Sequence, residues 1–496
     1  MKKKYLKGIA LALTVFTLCG CQKTPDQEYV SSKNNGVLED KINQTGPSGA
    51  KHTGQTEVKN SEQFTSTDGS VQFTLNVDSE LQLNVQQVVE VKPHPLTEED
   101  VERVARVLAG DADFYERQSS SHPQYSLEQC QQKLQQLSQY ASHESLAKLM
   151  GEGDAYAYLE FVQGYIEAWT ERAASAPQKD PRVPCTWKLK KEREYNDSEV
   201  EIGNRPVDED KDVIYANTEI DGVVYQYYVG TSDSDSYKLN QISLGLTEGI
   251  GLMPVDEAIY RAKLCRTEKP SEAVVHKLSQ QASDMLKAME LGNWEIVETK
   301  VEEKTIGDIT EYSVTISAVP VINGVAAMYH QPDSDPYTSY NAAYPMTSAA
   351  FELSGNGDIL HFCMNSPLDV VSVRNENVET LPVTELLEKC KNHLKLSDFE
   401  AYGLPAYDRR IMEETNGEKL LCQVNISGAE YCLGRVPVQN SDDHYYYVPV
   451  MALGGTAGFV GEKTGTLYFG NAESKDGEWV PPLVCINAVD GTLIQN

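Results

Sequence analysis

Two dipeptides constrain the fold most. Asp221-Gly222 lies among the runs Val213 to Ala216, Thr218 to Ile220 and Val223 to Val229, and Asn323-Gly324 follows the run Glu311 to Val319. Alternating apolar and polar residues read as half-buried strands. Asp-Gly and Asn-Gly tolerate the positive φ angles of a two-residue hairpin, so each marks neighbouring antiparallel strands. Further strands are expected at Lys238 to Leu246, Trp294 to Glu303, Gly324 to Tyr329, and in a hairpin of Ala349 to Leu353 with Ile359 to Met364. The last stretch adds Lys419 to Ile426, Ala429 to Val438, Tyr445 to Leu453, Thr466 to Phe469 and Leu483 to Ile494. Val71 to Val77 and Leu81 to Val91 read as a hairpin or two consecutive strands broken at Asp78-Ser79-Glu80.

Helices enter between these strands. Pro95, Pro254 and Pro382 each open a segment of the form Pro-apolar-Thr/Asp-Glu, with Thr97 as an N-cap followed by Glu98, Glu99 and Asp100 in the first turn. A helix is also expected from Ser271 to Leu291. Leu127, Cys130, Leu134, Leu137 and Ala141 recur at three and four, as do apolar residues from Tyr156 to Ala174, which gives a helical block in the N-terminal half. The fold class is α+β, with antiparallel sheets backed by helices. The three similar openings leave two readings: an internal repeat at irregular spacing, or a good helix start used three times.

The first 21 residues give an address. Lys2, Lys3, Lys4 and Lys7 precede an apolar run from Ile9 to Leu18, the pattern of a secretory signal segment too short to span a bilayer. Leu18-Cys19-Gly20-Cys21 resembles the lipobox of bacterial lipoproteins, which implies cleavage before Cys21 and a diacylglyceryl group on its thiol. Residues 1–20 are then a signal peptide. Residues 21–70 are poor in aromatic and β-branched clusters and read as a disordered tether. The expected location is the outer face of the cell membrane, held there through Cys21.

Composition excludes some classes. Forty-three Lys and Arg against 74 Asp and Glu give a formal charge of −31, which repels nucleic acid and anionic polymers. Of the ten cysteines, eight lie beyond Cys19 and Cys21, sparsely and with no Cys-x-x-Cys. Cys422 and Cys432 flank Asn425-Ile426-Ser427-Gly428, and a hairpin there would bring them together as a disulfide. No His-Glu-x-x-His or Gly-x-Ser-x-Gly occurs, and the nine histidines are scattered, so no metal, cofactor or catalytic residue is expected. The run from Gly454 to Gly465 lacks phosphate-loop spacing and reads as a Gly-rich connection. Asp233 to Ser236, Asp333 to Asp335 and Asp442-Asp443 lack the Gly and terminal Glu of a calcium loop and read as solvated. The Tyr-rich stretch Tyr329 to Pro345 and Tyr445-Tyr446-Tyr447 read as sheet residues before a recognition surface.

Val255-Asp256-Glu257-Ala258 and the tail Val484 to Ile494, with Asn487-Ala488-Val489-Asp490-Gly491-Thr492, resemble PepSY-type modules. Such modules occur in extracytoplasmic regulators of the WalK sensor kinase and in protease propeptides. The chain also resembles an uncharacterised lipoprotein family of Clostridia-like bacteria, at Pro93-His94-Pro95-Leu96-Thr97-Glu98-Glu99-Asp100-Val101 and Gly110-Asp111-Ala112-Asp113-Phe114-Tyr115. These resemblances imply an N-terminal α+β domain over residues 71–250 and PepSY-like units over 251–380 and 381–496. The expected function is that of a membrane-anchored, non-enzymatic binding or regulatory module with an envelope protein partner. The alternative is an envelope enzyme with a dispersed site.

Overall fold

Asp221 and Gly222 have φ of 50° and 71°, and Asn323 and Gly324 have 46° and 84°, so both dipeptides form the tight turns expected of them. The structure, a computed structural model, describes residues 36–44, 55–82, 85–116, 125–193, 210–234, 237–246, 254–265, 267–306, 309–328, 347–396, 418–438, 441, 443–470 and 482–494. In chain order the elements begin with helix α1 (Gly36–Ile42), strands β1 (Gln55–Thr65), β2 (Val71–Gln82) and β3 (Val88–Pro93), helix α2 (Glu98–Ala109) and strand β4 (Phe114–Glu116). Helices α3 (Leu127–Ser138), α4 (His143–Met150) and α5 (Glu152–Ser175) follow, then strands β5 (Lys190–Arg193), β6 (Asp210–Ile220), β7 (Val223–Ser234) and β8 (Tyr237–Leu246). Next come helices α6 (Pro254–Leu264) and α7 (Glu272–Met289) and strands β9 (Trp294–Ile306), β10 (Ile309–Ile322), β11 (Val325–Ala326), β12 (Ser348–Ser354), β13 (Ile359–Asn365) and β14 (Leu368–Asn375). Helix α8 (Val383–Leu396) precedes β15 (Leu420–Pro437), β16 (Tyr445–Gly461), β17 (Leu467–Gly470), β18 (Pro482–Asn487) and β19 (Leu493–Ile494). The α+β class with antiparallel sheets and helices is the observed one.

The chain divides into two compact units, one of residues 1–86, 375–431 and 448–495, the other chiefly of 87–374 and 432–447. Consecutive domains at 71–250, 251–380 and 381–496 do not describe this division. Strand β8, before residue 250, pairs with β13, after it, from Gln241↔Asn365 to Gly245↔His361. One sheet therefore draws on both segments.

In the larger unit the strand order is β11-β10-β12-β13-β8-β7-β6-β4, with β9 on β10 and β5 on β6. Thr97 caps α2 through a capping box with Asp100, and Val101, Val104, Ala105 and Leu108 are buried on its inner face. Leu278, Ala282, Leu286 and Met289 do the same for α7. These residues share one core with Tyr227, Phe351 and Phe362 of the sheet, and the buried Tyr227 hydroxyl donates to the Val101 carbonyl at 2.8 Å. Ions also tie helix to sheet. Arg261 on α6 reaches Glu311 on β10 at 2.6 Å and Glu352 on β12 at 2.8 Å, and Ser313 Oγ donates to Glu352.

In the smaller unit the order is β1-β2-β15-β16-β18-β19. Strand β1 corrects the tether reading: residues 55–65, polar in composition, pair antiparallel with the whole of β2, and Phe64 stacks on Phe73 with centroids 4.9 Å apart. Helix α1 lies within the same stretch and buries Leu38 and Ile42. Strand β2 runs unbroken through Asp78-Ser79-Glu80. Strand β15 lies parallel to β2, Cys422↔Val71 to Ile426↔Leu75, and the other pairings of known register are antiparallel. The glycine run from 454 is strand rather than connection, and a Cβ on Gly455 would strike the Asn425 carbonyl oxygen of β15.

Two outcomes follow from the buried ions. Glu311→Ala leaves Arg261 with part of its compensation gone, and chemical denaturation should show a loss of roughly 3–5 kcal/mol; a change below 1 kcal/mol would show that Glu352 alone satisfies the guanidinium. The carboxyls of Glu90, Asp100 and Glu352 are held below their ordinary values of 4.5, 3.8 and 4.5. Burial opposes this in each, but hydrogen bonds outweigh it, from His444, Arg374 and Ser372 to Glu90, from Thr97, His94 and Arg103 to Asp100, and from Arg261 and Ser313 to Glu352. Depressed folded values mean stability that is complete above the unfolded pKa and lost as pH falls through the folded one. Acidification from pH 7 toward the isoelectric point near 4.7 relieves self-repulsion. The thermal midpoint should therefore hold or rise to about pH 4.7 and then fall; a midpoint still rising at pH 3 would contradict it.

Candidate functional site

A cleft of about 230 Å³ in the larger unit is walled by α3, by the turn between β6 and β7, and by β4 with Arg182. Ser126 caps α3, its Oγ accepting from the Gln129 N–H at 3.3 Å while Gln129 Oε1 accepts from the Ser126 N–H at 2.8 Å. The cap commits the acceptor end of Gln129 and leaves its donor end. Gln129, Gln132, Lys133 and Gln136 follow at helical spacing and line one side of the cleft. The neighbouring face of α3 buries Cys130 and Leu137 against Trp169 of α5.

Of the α3 residues, Lys133 enters the lining from an ion pair. Lys133 Nζ lies 2.9 Å from Asp256 Oδ1, both side chains 5% exposed, and Tyr165 Oη donates to Asp256 Oδ2 at 3.3 Å. The ammonium is also 5.6 Å from the Tyr260 ring centroid and 6.0 Å from that of Trp169, within cation–π range. Asp256 belongs to the Val255-Asp256-Glu257-Ala258 helix opening singled out in the sequence. Here it is buried.

The end wall carries Tyr115, Glu116 and Arg182. Arg182 lies 4.0 Å from the Tyr115 ring centroid and is forked onto Asp180, with Nε–Oδ2 at 2.9 Å and an amino nitrogen at 2.6 Å. Glu219 is 3.8 Å away on its other side. Glu116 accepts from Lys190 and from Thr186 Oγ1, both at 2.7 Å, and Lys190 holds its carboxyl below the usual range. Burial pushes the Tyr115 phenol up. Opposite α3, Thr218 is tied to the Asp113 carbonyl at 2.9 Å. The Asn217 Oδ1 atom is buried and accepts no hydrogen bond among the described residues.

Other residues singled out by sequence lie elsewhere. Cys21, Tyr329 to Pro345, Asp333 to Asp335, Asp442 and the side chains of Asp233 to Ser236 fall outside the described residues. Cys422 and Cys432 are buried on the single strand β15 and are not joined by a disulfide. No turn separates them, and an extended strand keeps residues ten apart from meeting, so the expected disulfide is absent. Tyr445, Tyr446 and Tyr447 are all buried in β16. Among the described residues no group of three His, Cys, Asp or Glu could hold a metal, and no helix is long and apolar enough to cross a membrane. Sequence reading passed over Gln129, Gln132 and Gln136. Their signal was spacing, since they flank the apolar stripe on α3 at three and four.

No known protein family matches the chain, and no curated protein matches it. Among solved structures it is similar to an uncharacterised protein from Eubacterium rectale, at 11% identity over 85% of this chain and 91% of that one, with a TM-score of 0.32.

The buried pair gives a direct test of the cleft. Lys133→Ala strands Asp256 and should cost about 3–5 kcal/mol in chemical denaturation, whereas Lys133→Met with Asp256→Leu should restore most of that loss. A double variant no better than the single would mean that the charges are not what holds α3 to α6.

Proposed function

We propose that the chain is an extracytoplasmic lipoprotein, anchored to the membrane through acyl chains on Cys21, that acts as a non-enzymatic binding module with its ligand in the cleft. The carrying observation is the nature of the cleft lining. Aromatic rings and amides dominate it, and its charged groups Lys133, Glu116, Arg182 and Glu219 are engaged in ion pairs. Such groups recognise and orient; few convergent polar atoms in a concave aromatic setting are the usual form of a small-molecule site. The net charge of −31 argues against nucleic acid as the ligand. Under the same reading, the segments after Pro254 and Pro382 are PepSY-like units through which an envelope protein partner is engaged. A helix followed by strands stands in each segment, which supports that comparison.

Two measurements test this. Cys21→Ser should move the protein from the membrane to the soluble fraction and abolish labelling by a palmitate analogue, because two acyl chains on one cysteine suffice for stable attachment and nothing else in the reading supplies it. Membrane retention without label would sink the anchor. A thermal-shift screen of envelope metabolites with the full chain should find a ligand that raises the midpoint; at 100 times Kd the added stability is about 2.7 kcal/mol. Turnover of an envelope substrate in the same screen would favour the enzyme reading instead.

A further inference from the structure

We propose that the cleft takes an uncharged glycan, a short chain of neutral hexose or N-acetylhexosamine units. The inference rests on the binding-module reading and specifies the chemistry of its ligand. Charge is the first argument. Lys133, Arg182 and Glu116 already have partners at 2.9, 2.6 and 2.7 Å, and Glu219 lies 3.8 Å from Arg182. A charged ligand would have to break one of these pairs and leave the displaced ion in a poorly solvated site. A neutral ligand displaces nothing.

The second argument is the kind of neutral group that fits. Gln129, Gln132, Gln136 and Asn217 converge on the cleft from α3 and β6. Amides donate and accept at once, as do hydroxyl and acetamido groups. A purely apolar ligand would bury these amides unpaired, which is costly. Asn217 is a half-buried lining residue whose Oδ1 is buried with no hydrogen-bond partner among the described residues. Half-buried Tyr115 and Tyr125 supply ring surface for the C–H faces of a pyranose.

The third argument separates a glycan from a peptide. Peptides that bind along a sheet add a strand to an open edge. The β6 wall has none at this point, because residues 216–218 pair with β4 on one side and with β7 on the other. Recognition must run through side chains. The volume of about 230 Å³ is below the roughly 300–1,000 Å³ of sites for drug-sized ligands, room for a small ligand or one unit of a longer chain.

The test uses the full chain, purified in detergent, on an array carrying neutral, N-acetylated and acidic glycans together with a peptide set, followed by calorimetric titration of the best neutral glycan. The expected result is binding to neutral or N-acetylated members, weakened roughly tenfold or more by Gln132→Ala and by Asn217→Ala. Gln132 is exposed, so its variant should keep the wild-type thermal midpoint. Asn217→Ala removes a stranded acceptor and should hold or raise the midpoint while lowering affinity, a combination that a merely structural role would not give. Neutral-glycan binding untouched by both variants, or absent altogether, would overturn the inference. Binding confined to acidic glycans or peptides would overturn it while leaving the binding-module reading intact. Turnover of an array member would overturn both.

Discussion

The position of the cleft depends on the Lys133–Asp256 ion pair. Removing two ions from water costs several kcal/mol apiece, and their mutual attraction repays that only when the geometry is good and the remaining donors and acceptors are satisfied. Tyr165 supplies a hydrogen bond to the second carboxylate oxygen, and the Tyr260 and Trp169 rings face the ammonium. The pair therefore contributes less to net stability than to register. If α3 slid by one residue, Gln132 or Leu134 would stand in place of Lys133 and leave the buried Asp256 without its counter-ion. That penalty fixes which face of α3 is turned toward β6, and so where Gln129, Gln132 and Gln136 stand.

Much of the fold is legible because its local signals have local causes. Asp221-Gly222 and Asn323-Gly324 take positive φ, Thr97 closes a capping box, and the apolar stripe of α2 is the buried one. Strand β1 was not legible. Its sequence is polar, and it is held by pairing with β2, with Val58 and Phe64 as its apolar contacts. The division of β15 at Ser427-Gly428 fails for a related reason. Glycine there reads as a turn, yet Gly428 lacks a positive φ and has open space where a Cβ would stand, so the strand simply continues. The cysteines that a turn would have joined stay apart as a consequence.

The cleft was illegible on a different ground. Its groups come from β4, α3, α5, β6, α6 and the segment around Arg182, brought together only by tertiary packing. On α3 the glutamines look like any solvated face, and Lys133 looks like an exposed cation. What distinguishes Lys133 is burial beside a carboxylate about 120 residues away, and no local spacing encodes that. The VDEA opening at Val255 was visible, but its Asp reads as a capping residue rather than as a buried counter-ion.

Global acidity and local neutrality then fit together. A net charge of −31 keeps other polyanions away from the surface, while the charged side chains in the cleft are matched within a few ångströms. The same matching governs reactivity. Proton transfer near neutral pH is most efficient from groups that titrate there. Glu116 is pushed down by Lys190 and Tyr115 is pushed up by burial, so each stays in one protonation state across that range. Groups fixed in this way hold a constant pattern of donors, acceptors and ring faces, which is what selective binding of an uncharged ligand requires. The pairing that places the cleft thus also sets its chemistry.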